Sequence, residues 1–174
     1  MSITMSSLST QMKNFSLESL LILMCAFSTL LSCHKPNHDF NIEADKKMIE
    51  QAIHNSIGWA KTKDINLLYG VIANDTNYIE VDPNDRVVKG FEDFKKAEAF
   101  WMNPDFKAIR YDIQDLTINI SKSGDVAWFF CLLDDINEWK GQPANWENTR
   151  WTGVLEKRDN DWKIVQMHFS FASR

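Results

Sequence analysis

The chain has 174 residues, 25% of them charged and 44% apolar, with a formal net charge of −5. Those fractions exclude a disordered chain, and the acidic balance argues against nucleic acid as a partner, which usually calls for a basic excess. Aromatics make up 12% and include seven Trp; a small lone domain rarely needs so many, so they point to a large pocket, a second buried surface, or both.

Leu20 to Leu31 (LLILMCAFSTLL) has the length of a signal-peptide core and is short for a membrane span, which needs roughly 20 residues. Glu18 and Ser19 stop its extension backward, and Lys13 supplies the positive n-region. Met12-Lys13-Asn14 is a more natural start than Met1. The run ends Leu30-Leu31-Ser32-Cys33, which resembles the bacterial lipobox, where the Cys is acylated and becomes the new N-terminus. Acyl chains at about 0.8 kcal/mol per buried CH₂ would make that attachment stable. The expectation is residues 1–33 as a lipoprotein signal ending at lipidated Cys33, 34–43 as a polar tether, and 44–174 as the folded domain. An ordinary signal peptide with an incidental Cys33 is the alternative. The location implied is the bacterial cell envelope, at its periplasmic or outer-membrane face. Of three Cys, only Cys131 falls in the domain, so no internal disulfide can form there.

Asn41 or Asp45 can cap a first helix reaching about Thr62, with Met48, Ile49, Ala52, Ile53, Ile57 and Ala60 near one face and Trp59 at its edge. A short second helix follows from Asp64 through Ile72. Thr76 to Val81 reads as a strand, Asp82-Pro83-Asn84-Asp85 as a turn, and Arg86 to Lys89 as a brief return. A third helix carries Phe91, Phe94, Ala97 and Trp101, and Asn103-Pro104 stops it.

From Phe106 the period becomes two. Ile109, Tyr111 and Ile113 occupy odd positions, then Leu116, Ile118 and Ile120 even ones; that slip near Gln114-Asp115 is the trace of a β-bulge. Val126 to Leu133 (VAWFFCLL) is apolar on both faces, so both must be covered. Helices can cover one, and a second copy of the chain is the expected cover for the other. Thr149 to Lys157 and Asp161 to Ala172 are two further strands joined at Arg158-Asp159-Asn160. This order predicts an α+β fold: a strongly bent antiparallel sheet wrapped around three N-terminal helices, with a cavity between them.

Two stretches carry a resemblance: Tyr78-Ile-Glu-Val-Asp-Pro with Val88-Lys-Gly-Phe-Glu-Asp-Phe94, and Arg150-Trp-Thr-Gly-Val-Leu-Glu-Lys-Arg-Asp-Asn-Asp-Trp-Lys-Ile-Val-Gln-Met-His-Phe-Ser170. They resemble the SnoaL-like, or nuclear transport factor 2-like, cone, over most of Ala44 to Ser173. The association domain of calcium/calmodulin-dependent kinase has a similar closing hairpin. The resemblance implies a cone fold and leaves function open, since the same fold hosts isomerases, cyclases, hydrolases, ligand carriers and assembly domains. It also implies that the positions of Phe169 and Phe130 look inward, where relatives place polar groups, so that this pocket would lack them.

A three-residue turn in the last hairpin would set Trp151, Gly153 and Leu155 on one face with Val165, Met167 and Phe169, leaving His168 and Ser170 opposite. The expected pocket is lined by Trp128, Phe130, Leu132, Trp151, Met167 and Phe169 from the sheet and by Trp59 and Trp101 from the helices. Such a wall suits a flat or apolar ligand; plain core packing is the alternative. Tyr78, Glu80 and Asp82 alternate onto one strand face. Asp82 against an aromatic cavity would serve as a general base, although a solvated turn residue is the bland reading. Tyr111 would suit an oxyanion donor, or be a half-exposed strand residue. His168 beside Ser170 lacks the elbow of a hydrolase nucleophile and fits a structural role. Arg150 pairs either an anionic ligand or Glu147, and Asp134, Asp135 and Glu138 read as a solvated strand end. No Walker or dinucleotide glycine pattern occurs, so no cofactor is expected, and the four His (His34, His38, His54 and His168) show no metal spacing. The reading is a lipid-anchored, dimeric binder of a small apolar or aromatic molecule. A cofactor-free isomerase, cyclase or hydrolase using Asp82 or Tyr78 is the first alternative, and an assembly module the second.

Overall fold

The computed structural model describes residues 41–172. The expected lipid attachment at Cys33 and the tether histidines His34 and His38 lie outside the described residues. Asn41 caps α1 (Ile42–Thr62), its side chain accepting from the Ala44 amide at 3.1 Å. The buried face of α1 carries Ile49, Ala52, Ile53 and Trp59. It also carries Asp45, whose Oδ1 receives Lys157 Nζ at 2.7 Å and Trp162 Nε1 at 2.9 Å. That carboxylate ties the start of the domain to its last hairpin. Asp64 caps α2 (Ile65–Val71).

Next come β1 (Ile79–Val81), β2 (Val87–Lys89), α3 (Phe91–Lys95) and α4 (Glu98–Trp101). The single third helix expected over this stretch is therefore two short ones. At the junction the Lys96 and Ala97 amides bond three residues back, to Asp93 and Phe94, and this tight turn keeps Phe94 against Trp101 at 5.0 Å between ring centroids.

The long strands follow: β3 (Phe106–Ile120), β4 (Val126–Trp139), the two-residue β5 (Gln142–Pro143), β6 (Trp146–Arg158) and β7 (Asp161–Ser170). The sheet runs β2-β1-β7-β6-β4-β3, with β5 on β4. It is an α+β half-barrel curled over the helices, with one departure from the expected pattern: β1 pairs β7 in parallel. A parallel neighbour needs a long crossover, and here the entire β3–β6 meander supplies it.

The bulge read from the sequence exists. The β3–β4 register shifts between Gln114 and Thr117, with Asp115 at φ 54°. The last hairpin differs from its expected form. Asp159 and Asn160, at φ 51° and 68°, make a two-residue turn between paired Arg158 and Asp161. A bulge between Val154 and Leu155 then takes Val165 out of register, so Leu155 faces Ile164 while Gly153 still faces Met167 and Trp151 faces Phe169. The expected inner face survives with Ile164 in place of Val165.

Candidate functional site

A half-open cavity of about 670 Å³ lies between the helices and the curled sheet. Helix α1 contributes Ser56, Trp59 and Ala60, the α3–α4 segment Phe94, Phe100 and Trp101, and the sheet Phe106, Trp146, Met167 and Phe169. The wall is rigidly built. Trp59 meets Trp101 edge-on at 5.7 Å, and Phe169 lies 5.3 Å from Trp146 on one side and 5.3 Å from Trp151 on the other. Lys63, which ends α1 in a left-handed conformation at φ 58°, holds the turn below: its ammonium donates to the carbonyls of Trp101 and, at 2.8 Å, Phe106.

Besides the Asp93–Lys96 ion pair, two polar groups interrupt this wall. At one, the alternation of β1 turns Tyr78, Glu80 and Asp82 inward. Tyr78 Oη donates to Glu80 Oε2 at 2.7 Å, and Arg86 reaches across the turn to Asp82 Oδ2 at 2.9 Å but stands 3.8 Å from Glu80. Glu80 is 5% exposed and Asp82 7%. Burial pushes the Glu80 carboxyl up to about 7, with the Asp82 charge adding and the Tyr78 and Arg86 contacts opposing. Burial, and next the adjacent Glu80 charge, holds the Tyr78 hydroxyl well above the usual phenol range. At the other polar group, β4 supplies Asp135 and Asn137. Burial raises the Asp135 carboxyl above the usual carboxylate range, and Asn137 partly offsets it.

A model of the SnoaL-like domain family matches residues 49–174. This chain belongs to that family. Solved structures similar to this SnoaL-like domain include a Streptomyces avermitilis protein described as a candidate dehydratase of the nuclear transport factor 2-like family. It is 16% identical, with 77% of this chain and 100% of that chain covered, at a TM-score of 0.66. A nuclear transport factor 2-like protein of Cytophaga hutchinsonii is 13% identical over 73% of this chain and 98% of its own, at 0.59. The association domain of the C. elegans calcium/calmodulin-dependent kinase II is 14% identical over 74% and 97%, at 0.55. At such identities the likeness is one of fold. A comparison with curated proteins found no significant match.

Of the residues expected around the SnoaL-like pocket, Trp59, Trp101, Met167 and Phe169 do line the cavity. Trp128 and Phe130 do not: they sit on the face turned away from the helices, 47% and 40% exposed, and Leu132 shares their parity. In β4 the inward set is Ala127, Phe129, Cys131 and Leu133, so Phe130 is not an inward position. Because this strand is apolar on both faces, alternation alone did not reveal which side the helices take. Trp151 is core, stacked behind Phe169 with the edge of Phe129 at 5.0 Å.

The candidate acids and bases are also redistributed. Asp82 is in the cavity but held by Arg86, and Glu80 is the carboxyl with the raised affinity for a proton. Tyr111 packs instead on α1, its hydroxyl 3.2 Å from His54 Nδ1, in space opened by Gly58, where a Cβ would stand 3.0 Å from it. His168 is exposed on the outer face, opposite Thr152. Arg150 donates to the Phe171 carbonyl at 2.6 Å. The polar groups expected to be missing are supplied from other positions. Asp135 and Asn137 continue the inward odd parity of β4 beyond Leu133, and that continuation was the available signal. Cys131 is buried, with its thiol pushed up to about 12 by burial, which leaves it a core residue rather than a nucleophile.

Proposed function

We propose that this domain holds a small apolar or aromatic molecule in its cavity, and that a lipidated Cys33 keeps it at the cell envelope. The observation that carries the reading is the wall of Trp59, Trp101, Trp146 and Phe169 around about 670 Å³, a volume typical of small-ligand sites. Native mass spectrometry of the protein purified from its own host should find a retained small molecule, and Trp59→Ala should lose it. An empty protein whose Trp fluorescence responds to no aromatic ligand would sink the reading. Cys33→Ala should move the protein from the membrane fraction to the soluble one; persistence in the membrane would remove the anchor.

A second reading, a cofactor-free enzyme of the isomerase type, is favoured by one observation. Glu80 is a buried carboxyl poised near neutral pH, with a hydrogen-bond donor at Tyr78. A base of that affinity suits abstraction of a proton next to a carbonyl. Solvent deuterium should enter a bound ketone at that carbon and cease to do so in Glu80→Gln. Exchange of equal rate in the variant would discard this reading.

We propose further that two copies pair through the outer sheet face. Trp128 and Phe130 are exposed there beside Leu132, an apolar cluster that a lone domain rarely leaves to water. Phe130→Asp should convert a dimer to a monomer in sedimentation equilibrium. A wild-type monomer at high protein concentration would end this proposal and the assembly reading together.

A further inference from the structure

The second polar group in the cavity wall is unlike the first, because nothing among the described residues neutralises it. Asn137 is 6% exposed, and its backbone is pinned on both sides: its amide donates to Asn145 Oδ1 at 3.0 Å, and its carbonyl accepts from Ala144 at 2.9 Å. Its side-chain Nδ2 is turned toward the Asp135 carbonyl at 3.4 Å. Flipping the amide would set its oxygen against that carbonyl, so the contact favours this orientation. That leaves Asn137 Oδ1 buried with no hydrogen-bond partner among the described residues. A buried polar atom without a partner calls for an explanation, and an unfilled ligand position is one.

Asp135, two residues earlier on the same inward face, adds a second acceptor. Its carboxylate forms no ion pair among the described residues. The two cations of the cavity lining are already engaged, Arg86 with Asp82 and Lys96 with Asp93. An anionic ligand would therefore find no unengaged cation among the described lining residues. A ligand bringing its own positive charge and N–H donors would satisfy both acceptors. Opposite Asp135 in the ladder stands Trp146, with Phe169 at 5.3 Å, and aromatic faces are the other usual partner of a buried ammonium.

We infer that Asp135 and Asn137 form a subsite for the protonated nitrogen of a small aromatic or apolar amine, with Trp146 beside it. The inference rests on the ligand-binding reading above and names the ligand's chemical class. The burial that raises the Asp135 carboxyl would be compensated by such a cation.

The test compares three probes of one shape, 2-naphthylmethylamine, 2-naphthylmethanol and 2-naphthoate, binding to the full chain in lipid nanodiscs, followed by Trp fluorescence. The amine should bind at least about tenfold more tightly than the alcohol, with the carboxylate weakest. Asp135→Asn should bring the amine-to-alcohol ratio near unity, and Asn137→Ser should reduce it. An amine no tighter than the alcohol in the wild-type protein overturns the inference without any variant, while leaving the apolar pocket standing. A preference that survives Asp135→Asn overturns it too. Failure of all three probes to bind overturns the pocket reading itself, and the subsite with it.

Discussion

Tyr78, the residue just before β1, and Glu80, at the centre of that strand, meet inside the domain, hydroxyl to carboxyl at 2.7 Å. Alternation along β1 places both side chains on the helix side, and the curl of the sheet closes water away from them. That burial raises the affinity of the Glu80 carboxyl for a proton, and the Tyr78 hydrogen bond partly offsets it.

Glu80 makes stability depend on pH. Its carboxyl is held up to about 7 in the fold, against an ordinary 4.5, so the folded protein binds this proton more tightly than the unfolded chain does. The contribution is complete below about pH 4.5 and is lost as the pH rises through about 7. Glu80→Gln imitates the protonated form. Above pH 7 it should be more stable than the parent by on the order of 2–3 kcal/mol, the gap closing toward pH 4.5. Thermal melts across that range would show it; parallel curves for both proteins would refute the assignment.

Tyr78→Phe should raise the Glu80 affinity further, because the hydroxyl donates to the ionised carboxylate and so favours it. Carbon-13 NMR of the labelled Glu side chains would follow the titration. A midpoint that stays put or moves down would mean the hydroxyl does not donate to Glu80 in solution.

Asp45→Ala should cost roughly 2–3 kcal/mol, since it strands Trp162 Nε1 and frees Lys157, which is partly solvated and so limits the loss. Asp45→Asn keeps an acceptor for the indole and should cost less. Urea unfolding measures both, and equal losses would show that the indole contact contributes nothing.

Gly153→Ala tests the close approach of β6 to its neighbours. A Cβ there would stand 2.8 Å from the Gln166 carbonyl oxygen and closer still to the Phe129 ring. Backbone cannot step aside as a side-chain tip can, so the cost should be about 1–3 kcal/mol or more. Gly58→Ala, facing the movable end of Tyr111, should be milder. The reverse ranking in denaturant melts would contradict the packing described.

A cap at Asn41 or Asp45, the bulge at Gln114-Asp115, the stop after Trp101 and the family resemblance of the last hairpin were all legible along the chain. Each follows from a short-range preference: a side chain capping its own helix, a parity slip within one strand, a proline's restriction of its neighbour. The parallel pairing of β1 with β7 and the inward turn of Phe129 rather than Phe130 were not legible. Both depend on which segments meet, and VAWFFCLL offers an apolar residue to either side. The same gap hid two acids of the cavity, although Asp82 was anticipated there. Glu80 and Asp135 look like ordinary surface acids within their own segments; only the enclosure formed by distant helices and strands removes their water, and removal of water is what alters a carboxyl's chemistry.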